Sequence, residues 1–321
     1  MLIIIGGLFG WRAYESQFEI EMNKGINIGN ALDAPKDVAW DVEMDIEYFD
    51  EIKEAGFDTV RLPVRFSDYV DEDYVLDEDF MQEVDSYINY ALELGLLIVL
   101  DFHHFEEIMQ EPYVYLETYC RIWEQLSERY EDYPKELVFE LLNEPHSNMA
   151  AEIWNDFLEK GIDIIREKNP TRKIIVGTSF YYNIETIYEL ELPKDNHLIV
   201  SFHYYEPNDF AFQGNIYHAG YEHLSGITWT GTTDELAYLE AQFQMVADWA
   251  KNQNVDVFLG EFGVTQEAPE ESRIKWTEAV VKEAEKQGFS WAYWELASGF
   301  GIYDAETKVW DSEMLEVLIT H

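Results

Sequence analysis

Two glutamates stand where a carboxyl group is costly unless the protein uses it. Glu144 lies in the sequence LNEP and Glu261 in GEFG, each at the end of a short apolar run, 137–142 and 255–259. Such runs predict buried strands, and a carboxyl group that ends a buried strand destabilises the fold unless it has partners or a function. Two carboxyl groups assembled at one site are what the hydrolysis of a glycosidic bond requires.

The two runs belong to a series of eight, and a segment with helical periodicity follows nearly every one. The predicted strands are 25–29, 59–64, 96–102, 137–142, 173–177, 198–202, 255–259 and 289–294, and the predicted helices are 41–55, 77–94, 116–130, 150–168, 184–190, 234–251, 269–287 and 314–319. This alternation predicts one α/β domain over residues 25–321, a single (β/α)8 TIM barrel, with a doubly wound open sheet as the alternative. The chain has no G-x-G-x-x-G or G-x-x-x-x-G-K-[ST] loop, which excludes the usual nucleotide-binding sites.

Residues 1–24 form a predicted N-terminal segment outside the barrel. Its start, MLIIIGGLFGW, is apolar but too short to span a bilayer, which needs about 20 residues. It also lacks the basic region and small-residue cleavage site of a full signal peptide. We therefore interpret it either as the remnant of a signal or as a packed extension.

Polar side chains close seven of the eight predicted strands. They are Asn30 with Asp33, Arg61, His103 with His104, Asn143 with Glu144, His203 with Tyr205, Glu261, and Trp294 with Glu295. The C-terminal ends of barrel strands meet at one face, where such barrels carry their chemistry. Each residue alone could be an ion-pair partner or a satisfied polar group, and the convergence on one face favours a site. No third ligand at metal-site spacing accompanies the two histidines, so we expect no metal and no cofactor.

The chain is strongly acidic, with 65 acidic and 21 basic residues and a formal net charge of -44. Such a charge repels nucleic acid and anionic membrane surfaces, so we expect neither as a partner. The acidic surface is either ordinary solvated surface or an adaptation to high salt. Cys120 is the only cysteine, which excludes an intrachain disulfide, and its helical context predicts a buried structural thiol.

Six motifs in order resemble those of one enzyme family. They are GINIGNAL (25–32), VRLP (60–63), HH (103–104), LNEP (142–145), HYY (203–205) and GEFG (260–263). In this set the chain resembles glycoside hydrolase family 5, the cellulase family of retaining (β/α)8 glycosidases. The resemblance runs from about residue 25 to the C-terminus and is nearest to thermophilic bacterial endoglucanases with glucanase and mannanase activity.

The resemblance implies unequal roles for the two glutamates. Glu144 would be the general acid/base and Glu261 the nucleophile, with Arg61 and Tyr205 beside Glu261 and His203 near Glu144. The residues implied to bind or support the sugar are Asn143 at its 2-OH, His103 and His104 at other hydroxyls, Trp294 as a stacking platform, and Asn30, Asp33 and Glu295. A retaining mechanism predicts carboxyl groups about 5–5.5 Å apart, whereas about 9 Å would indicate inversion.

Three positions depart from the family pattern, and a long loop surrounds one of them. Asp101 stands where many members carry Asn, Asp33 where close relatives carry Glu, and Tyr217 where Trp is expected. The connection 206–231 is long enough to be functional, and we expect Tyr217 and Trp229 to line the substrate cleft while Phe210 and Phe212 pack the loop. Trp40 is a further candidate for the cleft wall.

These features together predict a retaining endo-β-1,4-glucanase that acts by double displacement. A β-mannanase or a dual glucanase/mannanase is the alternative, and a non-catalytic glycan-binding barrel is a remote one. The expected partner is a β-glucan or mannan polysaccharide, and we expect a monomer. An extracellular or cell-envelope location fits such a substrate, with the cytoplasm left open because no clear signal peptide is present.

Overall fold

The computed structural model describes residues 21–216 and 219–320. Eight parallel strands follow one another around a closed barrel. They are Lys24–Asn27 (β1), Thr59–Val64 (β2), Leu97–Phe102 (β3), Leu137–Glu140 (β4), Ile174–Gly177 (β5), Leu198–Tyr204 (β6), Asp256–Phe262 (β7) and Ser290–Tyr293 (β8). β1 pairs with β8 through Gly25 and Ala292, which excludes the open sheet. The predicted barrel is confirmed, whereas most of the predicted N-terminal segment, residues 1–20, lies outside the described residues.

Helices cover the outside of the barrel. They are Tyr48–Ala55, Glu78–Glu93, Glu106–Gln110, Pro112–Arg129, Ala151–Lys168, Asn208–Ala211, Thr233–Gln253, Glu270–Gln287 and Ser312–Ile319, with 3-10 turns at Phe66–Tyr69 and Ile184–Glu189. A hairpin of Tyr303–Asp304 and Val309–Trp310 follows β8. None of the described helices is both long and apolar enough to cross a bilayer.

Two helix starts differ from the prediction for identifiable reasons. The first helix begins at Tyr48 rather than at residue 41, and just before it the side chain of Asp45 accepts the N–H of Glu47. Such local hydrogen bonds compete with the helical pattern. The helix predicted from residue 116 begins at Pro112, because proline is well accommodated in a first turn.

The strands are buried on both faces, which explains their continuous apolar runs. Val99, Val138 and Ile175 belong to a cluster inside the barrel, while alternate residues such as Leu100 join the larger core beneath the helices. Two buried faces are typical of a parallel sheet covered by helices. Cys120 packs half-buried against this outer core, and burial raises the pKa of its thiol, which indicates a structural rather than a reactive cysteine.

Candidate active site

Arg61 lies at the centre of the polar face, fully buried in the middle of β2. Its guanidinium donates to Glu140 on β4 at 2.7 and 3.0 Å and to Glu261 on β7 at 2.8 Å. It also donates to Asn27 at 2.9 Å and to Asn143 at 2.8 Å. Four side chains from β1, β4 with the segment that follows it, and β7 are therefore held by a single cation, as the planar fork of arginine allows.

Glu261 receives hydrogen bonds on both of its oxygens. Arg61 donates to Oε1, and the hydroxyl of Tyr205 donates to Oε2 at 2.8 Å. Burial raises the pKa of Glu261 above its ordinary value, while the charge of Arg61 and the hydrogen bond from Tyr205 act in the opposite direction. These two donors favour the ionised carboxylate, which is the form a nucleophile needs.

Glu144 has a different environment, four residues beyond the end of β4. Its backbone is left-handed, with φ of 46°, a strained conformation for a glutamate that recurs at functional sites. Its Oε1 lies 2.6 Å from Nδ1 of His203. Burial, and then the charge of Glu261, raise the pKa of Glu144 well above its usual range. Because no Lys or Arg side chain within residues 21–216 and 219–320 contacts it directly, Glu144 is the better holder of a proton.

The two glutamates are close enough for a retaining mechanism. Carboxyl oxygens of Glu144 and Glu261 and a ring nitrogen of His203 all lie within 4.8 Å of one another. Retaining glycosidases have carboxyl groups about 5–5.5 Å apart, and inverting ones about 6.5–9.5 Å. Coupled carboxyl groups at this distance tend to share one proton.

A relay of polar contacts orients the amide of Asn143 beside Glu144. The amide oxygen accepts from Arg61, and the amide nitrogen lies 3.3 Å from Nε2 of His103. Nδ1 of His103 lies 2.5 Å from the carboxyl of Asp101. The His103 ring is parallel to Trp294, with ring centroids 5.8 Å apart. A Cβ on Gly29 would lie 2.5 Å from the Trp294 ring, so only a glycine at this position leaves room for the ring at the C-terminal end of the barrel.

Asp33 and His104 form the rim next to this relay. Oδ1 of Asp33 accepts the N–H of Ala31, while Oδ2 lies 4.0 Å from Nε2 of His104 and has no hydrogen-bond partner in the described part of the chain. Asn30 precedes them in a left-handed conformation that turns the chain, and the exposed ring of Trp40 meets His104 edge-on at 5.7 Å. Asp33 and Trp40 are therefore both neighbours of His104.

By spacing alone, Asp33, His103 and His104 also form one of two groups of described residues that could hold a metal ion; the other is Glu144, His203 and Glu261. The expectation that no third ligand accompanies the two histidines is therefore wrong, because the loop after β1 brings the carboxyl group of Asp33 beside them. Both ring nitrogens of His103 are already engaged, by Asp101 and by Asn143. The group thus serves hydrogen bonding within the protein better than it serves metal coordination.

Two predicted site residues, Trp229 and Glu295, do not face the cleft as expected. Trp229 is only 4% exposed and lines a cavity of about 280 Å³ with Tyr204 and Trp276, so the expectation that its ring faces the cleft is wrong. The indole is buried rather than exposed in the cleft because the loop folds it against the helix Thr233–Gln253. Glu295 is fully buried and accepts the backbone N–H groups of 297, 298 and 300, so it shapes the loop after β8. Tyr217 lies outside the described residues.

Sequence reasoning missed Asn27, Glu140 and one aromatic turn. Asn27 and Glu140 are the last residues of β1 and β4 and lie within the apolar runs of the sequence, where only the inward direction of their side chains, a period-two signal, distinguishes them from core positions. The turn at Ser179–Tyr182 contains left-handed residues and exposes the rings of Phe180 and Tyr181. Tyr181 stacks on His146 at 4.4 Å, two residues from Glu144. A second aromatic wall therefore lies on the side of Glu144.

A family model described as Cellulase (glycosyl hydrolase family 5) matches residues 23–299. Endoglucanase H of Acetivibrio thermocellus is 31% identical over 93% of this chain, and the match spans 33% of that longer relative. Among solved structures, the Clostridial cellulose synthase subunit Z (CcsZ) from Clostridioides difficile is 58% identical, with a TM-score of 0.92, covering 93% of this chain and 100% of that one. Cel5A of Thermotoga maritima, solved with cellobiose and with mannotriose, is 42% identical with a TM-score of 0.90, covering 93% of this chain and 97% of that one.

Proposed function

Because the chain belongs to the cellulase family, glycosyl hydrolase family 5, we propose that it is a retaining endo-β-1,4-glucanase. The observation that carries the proposal is the asymmetry of the glutamate pair. Both carboxyl groups meet within 4.8 Å, but only Glu261 receives hydrogen bonds from Arg61 and Tyr205. One carboxylate and one carboxylic acid at this separation are what double displacement requires.

The reaction proceeds in two steps. Glu144 protonates the glycosidic oxygen as the carboxylate of Glu261 attacks the anomeric carbon, which breaks the glycosidic bond and forms a glycosyl ester. Glu144, now ionised, takes a proton from water, and the water oxygen attacks the anomeric carbon and releases Glu261. Asn143, held by Arg61 and facing His103, is placed to donate its remaining amide N–H to the sugar 2-OH.

Aromatic rings on both sides of the pair support cleavage within a chain. Trp294 and Trp40 lie with the histidines on one side, and Phe180 and Tyr181 lie on the side of Glu144. Flat rings with apolar faces suit stacking on pyranose units. Because Glu144 protonates the departing oxygen, the Tyr181 side would receive the leaving part of the glucan.

Replacement of each glutamate tests the proposal. Glu261→Ala and Glu144→Ala should each lower release of reducing ends from carboxymethylcellulose by at least about a thousandfold, whereas Glu189→Ala, an exposed glutamate, should not. Azide should restore turnover in Glu261→Ala with the product configuration inverted, because the small anion fills the place of the missing nucleophile. Activity near that of the unaltered enzyme in either variant would remove the assignment.

A dual action on mannan is the second candidate. It is supported by the structure of Thermotoga maritima Cel5A with mannotriose. Glucose and mannose differ in the orientation of the 2-OH, and here Asn143 is fixed by Arg61 and faces His103. Parallel assays on carboxymethylcellulose, lichenan, xyloglucan and glucomannan separate the two candidates, and product from pure mannan would establish the dual enzyme.

We further propose that the enzyme works on cellulose at the cell envelope, alongside a cellulose synthase. The 58% identity with a protein described as a cellulose synthase subunit supports this setting. The acidic chain would act there as a monomer on the polymer as it is made. Fractionation of cells, size-exclusion chromatography with light scattering, and co-purification with the synthase test location, oligomeric state and association. Recovery from the cytoplasm alone would contradict the setting without affecting the proposed chemistry.

A further inference from the structure

Arg61 has no N–H left for a third carboxyl group. A guanidinium carries five N–H donors. The described contacts use all five, with Nε on Glu140, Nη1 on Asn27 and Glu261, and Nη2 on Glu140 and Asn143. The carboxyl of Asp101 nevertheless lies 3.0 Å from Nη2. Asp101 is therefore beside the cation without receiving a hydrogen bond from it.

Asp101 has the fewest donors of the carboxyl groups around Arg61. Glu140 receives two hydrogen bonds from the guanidinium, and Glu261 receives one from Arg61 and one from Tyr205. Besides its ion pair with Arg61, the Asp101 side chain has one hydrogen-bond contact, between its Oδ2 and Nδ1 of His103, while its Oδ1 has no hydrogen-bond partner among the described residues. The side chain is fully buried. An ionised carboxylate in such a place keeps most of its desolvation cost.

The charges around Arg61 do not balance if every acid is ionised. One guanidinium would face the carboxylates of Asp101, Glu140 and Glu261, leaving two uncompensated negative charges in the barrel interior. Asp101 and Glu140 are also register partners on the parallel strands β3 and β4, so two ionised carboxyl groups there would be neighbours and would repel each other. A proton on one carboxyl group relieves both problems, and it is held at least cost where donors are fewest.

We propose that Asp101 is a positioning residue that carries a proton in the resting enzyme and, in that neutral form, fixes the tautomer of His103. The charged and titratable groups that face it are Arg61, Glu140, Glu261, Asp33 and His103. Burial raises the pKa of Asp101 well above its usual range; Arg61 opposes this shift, and Glu140, Glu261 and Asp33 add to it. Geometry and electrostatics thus agree on where the proton lies.

The hydrogen-bond network also assigns the remaining protons. The amide oxygen of Asn143 faces Arg61, so its amide nitrogen must face Nε2 of His103. Nε2 is then the acceptor, and the ring proton sits on Nδ1 and is donated to Oδ2 of Asp101. The proton of Asp101 is left on Oδ1. In this arrangement the charge of Arg61 is shared by the carboxylates of Glu140 and Glu261 only. One N–H of the Asn143 amide remains free to donate to the sugar in the proposed reaction.

Carbon-13 NMR of the whole protein labelled at the aspartate carboxyl carbon tests the protonation without substrate. Asp101→Asn and Asp33→Asn assign the two buried aspartates. The Asp101 resonance should show a neutral acid at pH 6, where exposed aspartates are ionised. A resonance that titrates at or below the ordinary aspartate range would overturn the proposal. Because no turnover is needed, this result stands even if the proposed glucanase activity fails.

The pH dependence of kcat/KM tests the consequence, which rests on the proposed function. Asp101→Asn is isosteric with the neutral acid. The acid limb of the pH profile, where kcat/KM falls as Glu261 becomes protonated, should therefore keep its position within about 0.3 pH unit. An ionised Asp101 predicts otherwise, since removing an anion beside Arg61 would lower the pKa of Glu261 and move the limb down by about a unit or more.

Asp101→Leu removes the acceptor as well as the acid. Freed from Asp101, His103 no longer holds Asn143, and kcat/KM should fall about tenfold further than in Asp101→Asn, as expected for a lost buried hydrogen bond. Thermal unfolding of both variants shows whether they are folded. Equal kinetics in the two folded variants would refute the positioning role.

Discussion

Tyr205→Phe isolates one of the two contacts that set the ionisation of the nucleophile. The hydroxyl of Tyr205 lies 2.8 Å from Oε2 of Glu261, and Glu261 is only 5% exposed. Burial and the neighbouring glutamates raise the pKa of Tyr205 well above its usual range, so it remains a donor at every useful pH. The substitution removes the hydroxyl and keeps the ring that packs against Phe212 at 4.9 Å.

The size of the effect follows from the hydrogen bond. A hydrogen bond to a charged group is worth about 1.5–3 kcal/mol, and about 1.4 kcal/mol corresponds to one pKa unit. Because the bond stabilises the ionised form, its loss should raise the pKa of Glu261 by about 1–2 units. Activity requires the carboxylate, so the acid limb of kcat/KM moves to higher pH by the same amount. Well below that limb, the variant should be about 10- to 100-fold slower.

The assay is a pH series of kcat/KM on a soluble aryl cellobioside. Tyr204→Phe is the matched control, since this neighbouring ring packs on Phe243 and Trp276 within the outer core. The control should leave the limb in place. An acid limb that stays within about 0.3 unit in Tyr205→Phe, or a uniform loss of rate at every pH, would show that Tyr205 does not tune the nucleophile.

Three further predictions concern the cleft, the loop after β8 and the surface. Tyr181→Ala should raise KM for cellopentaose about fivefold, because about 1 kcal/mol of ring contact with the sugar is lost, and it should leave the kinetics on an aryl cellobioside unchanged. Tyr188→Ala, which alters an exposed ring farther along the chain, is the control. Equal effects of the two substitutions would show that Tyr181 does not bind the leaving part of the glucan. Burial raises the pKa of Glu295 from 4.5 to about 7 in spite of the backbone N–H groups that donate to it. The protonated side chain therefore stabilises the folded state fully below pH 4.5, and this stabilisation is lost as the pH rises through 7. Wild type should therefore lose about 3 kcal/mol of stability over this window relative to Glu295→Gln in urea unfolding, and parallel curves would contradict this. With a net charge of -44, the Tm should rise from low salt to about 1 M NaCl as repulsion is screened, and a flat or falling Tm would show that the surface charges do not repel effectively.

The sequence predicted the barrel well because each strand is buried on both faces and each helix has its own periodicity. Its errors share one cause, which is that burial and donor counts are properties of the folded chain. In the sequence Trp229 lies in a long loop and is predicted to face the cleft, but in the structure it is packed into the outer core. Glu140 reads as part of an apolar strand but is half of the bidentate pair with Arg61. The protonation of Asp101 depends on five donors being taken by other residues, which no local pattern of the sequence records.

The GEFG motif supplies the nucleophile Glu261 and also determines where its side chain lies. Along β6 and β7, Phe202 pairs with Leu259 but His203 pairs with Glu261, so Gly260 is an extra residue in the ladder. A Cβ on Gly260 would lie 2.7 Å from the hydroxyl of Ser201 and 3.0 Å from the His203 ring. Since a shift of one residue turns a side chain to the other face of a sheet, this bulge is what brings Glu261 inward beside His203. The glycine therefore contributes to the site by allowing the bulge that puts the nucleophile on the same side as Arg61 and Tyr205.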